Sequence, residues 1–469
     1  MIRTRIEEIN ENFIGKKVLI KGWISTIREH GKLIFLDIRD KSGIVQTVIS
    51  SKENPEVFKE AKKCGKEYCV EIEGVVNARP EGTINEKIPT GKVEININKL
   101  KVLNSCLPLP FELDSKEINE EVRLKYRFLD LRRAEMQKNI TMRGKALKVI
   151  RDYMYSQGFL EFETPILVKY TPGGARNFLV PSRIEAGKFW ALPESPQLFK
   201  QLLMVAGFEK YFQIAKCFRD EDLRKDRQPE FTQIDIEMSF IDCEDIFNLI
   251  EGLLKEMWKE LLGIEIKTPF PRMTYEEAMK KYNSDKPDLR KDKNNPNEYA
   301  FLWVVDFPLF QYSKEEKKYV ANHHPFTAPN MEDFKKDPYT ARSKAYDVVL
   351  NGVEIGGGSI RIHDSEVQKK VFEILQITKE EQEKKFKFLL DALKFGAPPH
   401  GGIALGLDRI LQIILNTDSI RDVIAFPKNS EGKEIMLGAP SEISEFQLKE
   451  LHIKVDSQKK EKTLEGKKK

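Results

Sequence analysis

Arginine can grip a phosphate without help from the backbone, because its planar fork meets two oxygens at once. The chain offers it at two distant places. Arg219 lies in CFRDEDLRKDRQPEFTQIDIEMS, Cys217 to Ser239, and Arg409 lies in GGIALGLDRI, Gly401 to Ile410. One arginine on a strand edge is more often a surface ion pair than a ligand. A third run, AYDVVLNGVEIGGGSIRIH, supplies two carboxylates, Asp347 and Glu354, on either side of a turn. Carboxylates beside phosphate-binding arginines make chemical sense with a divalent cation between them, and magnesium prefers a few carboxylates plus phosphate oxygens. Pairing of both with nearby lysines is the plainer alternative. The chemistry suggested is that of a nucleotide polyphosphate laid across a sheet.

These residues need particular elements beneath them. The first run reads as a strand, a charged loop and a return strand, Phe231 to Phe240, in which Ile234, Ile236 and Met238 alternate with Gln233, Asp235 and Glu237. Such a hairpin has one apolar and one polar face. In ALPESPQLFKQLLM a helix starts near Pro196 and places Gln197 and Lys200 close to its N-terminal turn, which favours anions. Lys200 therefore has a physical reason to meet a carboxylate, with Arg361 as its companion, although a lone lysine there is usually solvated. Gly356, Gly357 and Gly358 let backbone approach a ligand closely.

Upstream, strand patterns at 17–24, 33–38 and 44–49, a helix at 55–64 and strands at 68–76 and 93–103 follow the order of an OB-fold, whose barrel face binds single-stranded nucleic acid. On that face Phe35 is a candidate base stacker and Arg28, Gln46, Arg79 and Glu94 candidate polar readers. A strand phenylalanine is more often core. The expected organisation is an OB-fold over 1–104, a hinge over 105–130, a larger α+β domain over 131–453 and a basic, disordered tail over 454–469. A long helix is expected from Ala134 to Gln157.

Composition agrees with an enzyme of two or more domains: 469 residues, 40% hydrophobic, with a mean hydropathy of −0.47. The opening MIRTRIEEINENF is charged too early for a secretory signal and no apolar run is long enough to span a bilayer, so a cytoplasmic location is expected. Five cysteines without a CxxC pair indicate neither a disulfide framework nor a zinc site. The net charge of +4 leaves nucleic-acid binding to be decided by where charge sits.

The hairpin resembles motif 2, and the glycine-rich segment motif 3, of class II aminoacyl-tRNA synthetases. From Val18 to about Ile453 the chain resembles the bacterial type of aspartyl-tRNA synthetase. That resemblance implies a class II catalytic domain, an antiparallel sheet flanked by helices, joined to an OB-fold that binds the anticodon of tRNA-Asp. It implies activation of L-aspartate by ATP with Mg2+ and transfer to the 3′ end of tRNA. Arg219 and Arg409 become catalytic, and Asp220, Glu221, Gln228, Glu354, Gly406, Leu407 and Asp408 join them around ATP. Gln197, Lys200, Arg219, Gln233, Asp235, Arg361 and the pair His323 and His324 surround aspartate, with His323 favoured of the two; ordering of their loop is the competing role. Arg224, Lys225 and Arg227 suit the tRNA acceptor end. The long helix with the following GFLEFETPIL resembles motif 1, which implies a homodimer around Pro165; an amphipathic helix packed within one chain is the alternative. His30 and Gly31 resemble the type that also accepts tRNA-Asn. Asparagine would be rejected because it leaves Lys200 and Arg361 without an anion.

Two departures stand out. The loop TPGGAR has Gly173 where bacterial relatives carry a glutamate that meets the substrate ammonium, and the ten polar residues 291–300 replace a large insertion domain. Competing functions are an asparaginyl- or lysyl-type synthetase, a noncatalytic RNA-binding paralogue, and a tRNA-independent ligase on the same fold. A lysine substrate would be repelled by Lys200 and Arg361.

Overall fold

The computed structural model describes residues 1–170 and 176–456, so Gly173 and most of the basic tail lie outside the described residues. The chain divides into two compact units, Met1–Glu112 and Leu113–Lys469.

The first unit is a closed barrel of five strands, β1 (Lys17–His30), β2 (Leu33–Arg39), β3 (Ile44–Ser50), β4 (Cys69–Ala78) and β5 (Val93–Asn104), in the order β1-β2-β3-β5-β4. Its period-2 apolar residues, among them Ile34, Leu36, Ile38, Val70 and Ile72, fill the interior. Helix α1 (Pro55–Lys62) lies between β3 and β4 in sequence. It starts with Asn54 accepting from Val57 N, has Pro55 in its first turn, and buries Phe58 and Ala61. Strand β1 runs six residues beyond the expected end at Ile24. Its first half pairs with β4, and after a register shift between Ile24 and Thr26 its second half pairs with β2. The second half is polar, so apolar alternation stops where the strand does not.

The second unit is built on an eight-stranded sheet. In chain order, the sheet strands and the helices that position the site are α2 (Ala134–Ser156), β6 (Leu160–Glu161), α3 (Gln197–Val205), β7 (Lys210–Phe218), β8 (Glu230–Ser239), α4 (Cys243–Leu262), β9 (Arg272–Thr274), β10 (Phe301–Val305), β11 (Ala345–Leu350), β12 (Val353–Ile360), β13 (His400–Gly406) and α5 (Leu407–Leu415). The strand order is β9-β10-β11-β12-β13-β8-β7-β6, antiparallel except at the two outermost pairings. One face carries the core: Ile234, Ile236, Met238, Ile403 and Leu405 pack on Ala146, Ile150 and Met154 of α2 and on the apolar stripe of α4. Helix α4 is delimited by a capping box between Asp242 and Asp245 and by left-handed Gly263. The opposite face of β8 carries Gln233, Asp235 and Glu237.

Residues 113–130 belong to this unit and are no hinge. Arg127 and Asp130 are buried, and Arg127 donates to the carbonyls of Arg421, Ile424 and Ala425 at 2.8–2.9 Å. Prolines and charge before a helix read as a linker only until their distant partners are seen.

Candidate active site

A cavity of about 560 Å³ opens on the polar face of the sheet. At one end is a buried charge cluster. Lys200 Nζ, on α3, lies 2.7 Å from Asp235 Oδ1 and 3.2 Å from Glu237 Oε2, and Arg361 donates to both oxygens of Glu237 at 3.0 and 3.1 Å. Tyr211 donates its hydroxyl to Asp235 Oδ2 at 3.0 Å. Gly402 makes room for this packing, since a Cβ there would sit 2.0 Å from Glu237 Oε2. Burial pushes Asp235 above its ordinary pKa. Burial acts on Glu237 in the same direction, yet Arg361 and Lys200 together hold it below the usual carboxylate value.

Both cations therefore already have anionic partners, which revises the expected basis of selectivity. Asparagine would not strand two bare charges. What remains at the cavity is hydrogen-bond polarity: Arg361 Nη1 donates to Ser359 Oγ at 2.7 Å and stands 2.7 Å from His324 Nε2. Burial, with Arg361 and His323 nearby, lowers the His324 pKa well below normal, so the ring is neutral, with Nε2 facing Arg361 Nη1 and Nδ1 facing Phe326 N at 3.2 Å. A carboxylate can take that place. An amide would meet Arg361 only with its neutral carbonyl oxygen, without the charge that strengthens a carboxylate's bond.

His323 points elsewhere, its Nε2 being 3.5 Å from Asp347 Oδ1 and its ring edge-on to Phe307. The geometry thus places His324, and not the favoured His323, beside Arg361. Chain position could not rank two adjacent histidines.

At the other end, β11 and β12 form a hairpin whose Asn351 and Gly352 have φ of 53° and 81°, as a two-residue primed turn requires. A register shift between Val348 and Val349 turns Asp347 and Glu354 to the same side. A Cβ on Gly357 would lie 2.5 Å from Asp347 Oδ1 and 3.9 Å from Glu354 Oε1, so the glycine keeps that space open. Burial first and Asp347 second push Glu354 above its ordinary pKa. Two crowded carboxylates of this kind suit a cation that completes its shell with water and phosphate oxygens.

Arg219 leaves β7 with its guanidinium carbon 5.1 Å from the centre of the Phe231 ring. Its buried Nε and the buried Gln197 Nε2 have no protein hydrogen-bond partner, which is the state of groups made for a ligand. Arg409 donates from Nη1 to Glu354 O at 2.7 Å, and its Nη2 is 3.8 Å from Asp226 on the charged loop.

The cavity is lined by Gln197, Lys200, Arg219, Glu221, Gln228, Gln233, Asp235, His323, His324, Asp347, Glu354, Arg361, Gly406, Asp408 and Arg409 of the expected substrate residues, and by Arg227 of those expected at the tRNA acceptor end. It does not bring all of them to bear. Leu407 is buried in the hydrophobic core and Asp220 is exposed outside the lining. The Asp408 carboxylate is consumed by Arg143 and Thr232 N, and the Gln228 carboxamide by Lys428 N and O. Arg224 and Lys225 are exposed on the loop. Glu237, not assigned a role from sequence, is the central carboxylate of the cluster; its place in the Gln233-Asp235-Glu237 alternation was the available clue.

In the barrel unit a second cavity, about 450 Å³, is lined by Arg28, His30, Phe35, Gln46 and Glu94 among others. Arg28 donates to both Asp37 oxygens (2.7 and 2.9 Å) and to Gln46 Oε1 (3.0 Å), while Gln46 Nε2 donates to Glu94 Oε2 at 2.7 Å. His30 meets Phe35 edge-on at 6.1 Å. Arg79 does not line this cavity. It is buried, and it donates to the carbonyls of Val93 and Thr83, pinning the loop before β5.

A nucleic-acid-type barrel and an antiparallel sheet bearing opposed arginines beside a carboxylate pair are the parts of a class II aminoacyl-tRNA ligase. The chain belongs to that family: residues 119–430 match the model for tRNA synthetases class II (D, K and N), and 18–103 match the OB-fold nucleic acid binding domain. It is 45% identical to an aspartate--tRNA(Asp/Asn) ligase of Dictyoglomus turgidum, covering 96% of this chain and 97% of the relative. It is 44% identical to the protein of that name from Hydrogenobaculum sp., covering 96% and 99%. These alignments span 574 and 589 positions against 469 residues here, so each relative carries over a hundred residues that this chain lacks. A solved structure, asparaginyl-tRNA synthetase from Pyrococcus horikoshii complexed with asparaginyl-adenylate, superimposes with a TM-score of 0.74 at 26% identity, over 91% of this chain and 98% of that one.

Proposed function

We propose that this enzyme activates L-aspartate with ATP and transfers it to the 3′ end of tRNA-Asp, and that it also accepts tRNA-Asn. The observation that carries the amino-acid assignment is the pair Lys200 and Arg361, buried at one end of the cavity and held by Asp235 and Glu237. Arg361 Nη1, now facing Ser359 Oγ and His324, is a charged donor there, which a carboxylate answers with a charge-assisted bond and an amide only through its neutral carbonyl oxygen. The printed name of the relatives, aspartate--tRNA(Asp/Asn) ligase, supports both the amino acid and the second tRNA.

In the first step the aspartate α-carboxylate attacks the α-phosphorus in line. Arg219 spreads the charge that grows on the phosphorane oxygens, and Arg409 holds the distal phosphate so that pyrophosphate leaves in the opposite direction. Gln197 Nε2 and Gln233 orient the amino acid. Asp347 and Glu354 would hold Mg2+, which when bound would neutralise phosphate charge. In the second step the terminal adenosine hydroxyl of tRNA attacks the activated carbonyl, with Arg224, Lys225 and Arg227 on the exposed loop attracting the acceptor end. No protein nucleophile is needed; positioning and electrostatics supply the rate. The barrel cavity reads the anticodon through Phe35, Gln46, Arg28 and Glu94, with His30 at its edge.

Pairing of two copies through α2, β6 and the segment after it would cover the exposed Leu160 on the outermost strand and the exposed Ile166 and Leu167 that follow. No helix among the described residues is long and apolar enough to cross a membrane, and tRNA charging calls for a cytoplasmic location. Charging of tRNA-Asp and tRNA-Asn side by side with labelled aspartate tests the proposal: both are expected to be acylated, and acylation of neither would overturn it.

A further inference from the structure

Helix α5 starts with no side-chain cap at Gly406. Its first-turn carboxylate, Asp408, does not serve its own helix. Asp408 Oδ1 accepts from Arg143 Nη1 at 2.5 Å and Oδ2 accepts from Thr232 N at 3.0 Å. Arg143 comes from α2, 265 residues earlier in the chain. It closes the triangle by donating from Nη2 to Thr232 Oγ1 at 2.9 Å and also donates from Nη1 to Val423 O at 3.2 Å. Four segments therefore meet on one guanidinium: α2, β8, the start of α5, and the turn containing Val423, whose neighbour Ile420 lines the main cavity.

The next residue along α5 is Arg409. Adjacent residues on a helix point about 100° apart, as 3.6 residues per turn requires. A helix whose Asp408 is locked toward Arg143 and Thr232 has its rotation fixed, and Arg409 is then aimed at Glu354 O and into the cavity. Buried Leu407, Ile410 and Leu411 hold the apolar side of α5 on the core, and the Asp408 contacts are the polar lock on its first turn, where no capping side chain is present.

We propose that Arg143 is a positioning residue for nucleotide binding: by clamping Asp408 it sets the rotation of α5, and with it the aim of Arg409 at the distal phosphate. Arg143 touches no substrate. The inference rests on the proposed ATP site and names the support of its arginine. It also assigns Asp408 a structural purpose in place of an ATP contact.

The test is equilibrium binding of Mg-ATP by calorimetry, with thermal melting as a check on folding, on wild type, Arg143→Ala, Arg143→Lys, Asp408→Asn and the double variant Arg143→Ala/Asp408→Asn. Loss of one charge-assisted bond corresponds to about tenfold in affinity. Each alanine or asparagine single variant is expected to bind Mg-ATP about tenfold more weakly. Arg143→Lys should recover part of the loss, and the double variant should be no worse than the weaker single one, because the two residues act as a unit. KM for aspartate, read by pyrophosphate exchange, should stay within about twofold, since a general loosening would move both substrates alike. Unchanged Mg-ATP affinity in the folded variants, additive losses, or equal loss for ATP and aspartate would overturn the inference. Should Arg143→Ala fail to fold, Asp408→Asn decides alone, as it keeps the side-chain volume. Wild-type protein that binds Mg-ATP but does not exchange with aspartate would refute the aspartate reading while leaving the clamp to be judged on ATP affinity; wild type that binds no Mg-ATP would sink both.

Discussion

Replacing Arg361 by glutamine separates what the buried cluster does for stability from what it does for substrate. Arg361 gives Glu237 two hydrogen bonds, 3.0 and 3.1 Å, with both side chains almost wholly buried. Removing it leaves Glu237 with Lys200 alone at 3.2 Å. Breaking a buried pair on one side costs about 3–5 kcal/mol. A second change, Glu237→Gln, removes the stranded charge and should return most of that stability, because neutral replacement of both partners is often close to neutral overall. It cannot return the donor edge that Arg361 Nη1 offers an acidic side chain. A charged hydrogen bond is worth about 1.5–3 kcal/mol, which converts to roughly 10- to 150-fold in KM for aspartate. Thermal melting and pyrophosphate exchange on wild type and the two variants provide the assay. The expected pattern is a large fall in melting temperature for Arg361→Gln, recovery in the double variant, and a high KM for aspartate in both with KM for ATP little changed. A double variant that regained normal use of aspartate, or a parallel rise in KM for ATP, would refute the reasoning.

Arg219→Lys should slow adenylate formation by about 10²–10³-fold, the usual loss when a donor aimed at transition-state charge is misplaced; rapid-quench measurement of the first step checks this, and a loss confined to tRNA transfer would contradict it. Glu354 has a raised pKa, so its ionisation costs the folded protein stability as pH rises from the ordinary 4.5 through the raised value. Glu354→Gln should therefore melt higher than wild type at neutral pH without magnesium and gain little when Mg-ATP is added. In wild type the stabilisation by Mg-ATP should shrink as pH falls toward that window, which melting curves across pH would reveal. Gln46→Ala breaks the Arg28-Gln46-Glu94 chain on the barrel. It should raise KM for tRNA by about tenfold, the cost of one reading contact, and leave pyrophosphate exchange untouched; a change in exchange would argue against a purely anticodon role.

Much of this architecture was legible in the sequence because it is written locally. The barrel strands show alternation, the helix expected at 55–64 is found at Pro55–Lys62, and the turn expected between Asp347 and Glu354 joins β11 to β12. The candidate site was legible where chemistry is concentrated in a few residue types, as in Arg219, Lys200, Asp347 and Glu354. What escaped is set by pairing across long stretches of chain. Arg143 meets Asp408, and Arg127 meets the 421–425 turn, with hundreds of residues between them. Nothing near Asp408 indicates that its oxygens are already taken. Leu407 beside it joins the core for a similar reason: neighbours in sequence point to different sides of a helix. Glu237 was visible as a polar position on β8, but its two cationic partners come from α3 and from the residue after β12.

The central claim is that the cavity accepts an acidic amino acid beside a bound nucleotide. ATP–pyrophosphate exchange on the purified protein with Mg2+, run with aspartate and with asparagine at equal concentrations, measures this most directly. Exchange that depends on aspartate and is weaker by at least about tenfold with asparagine, the value of one charge-assisted hydrogen bond, is the expected result. Equal exchange with both, or exchange driven by asparagine alone, would contradict the account.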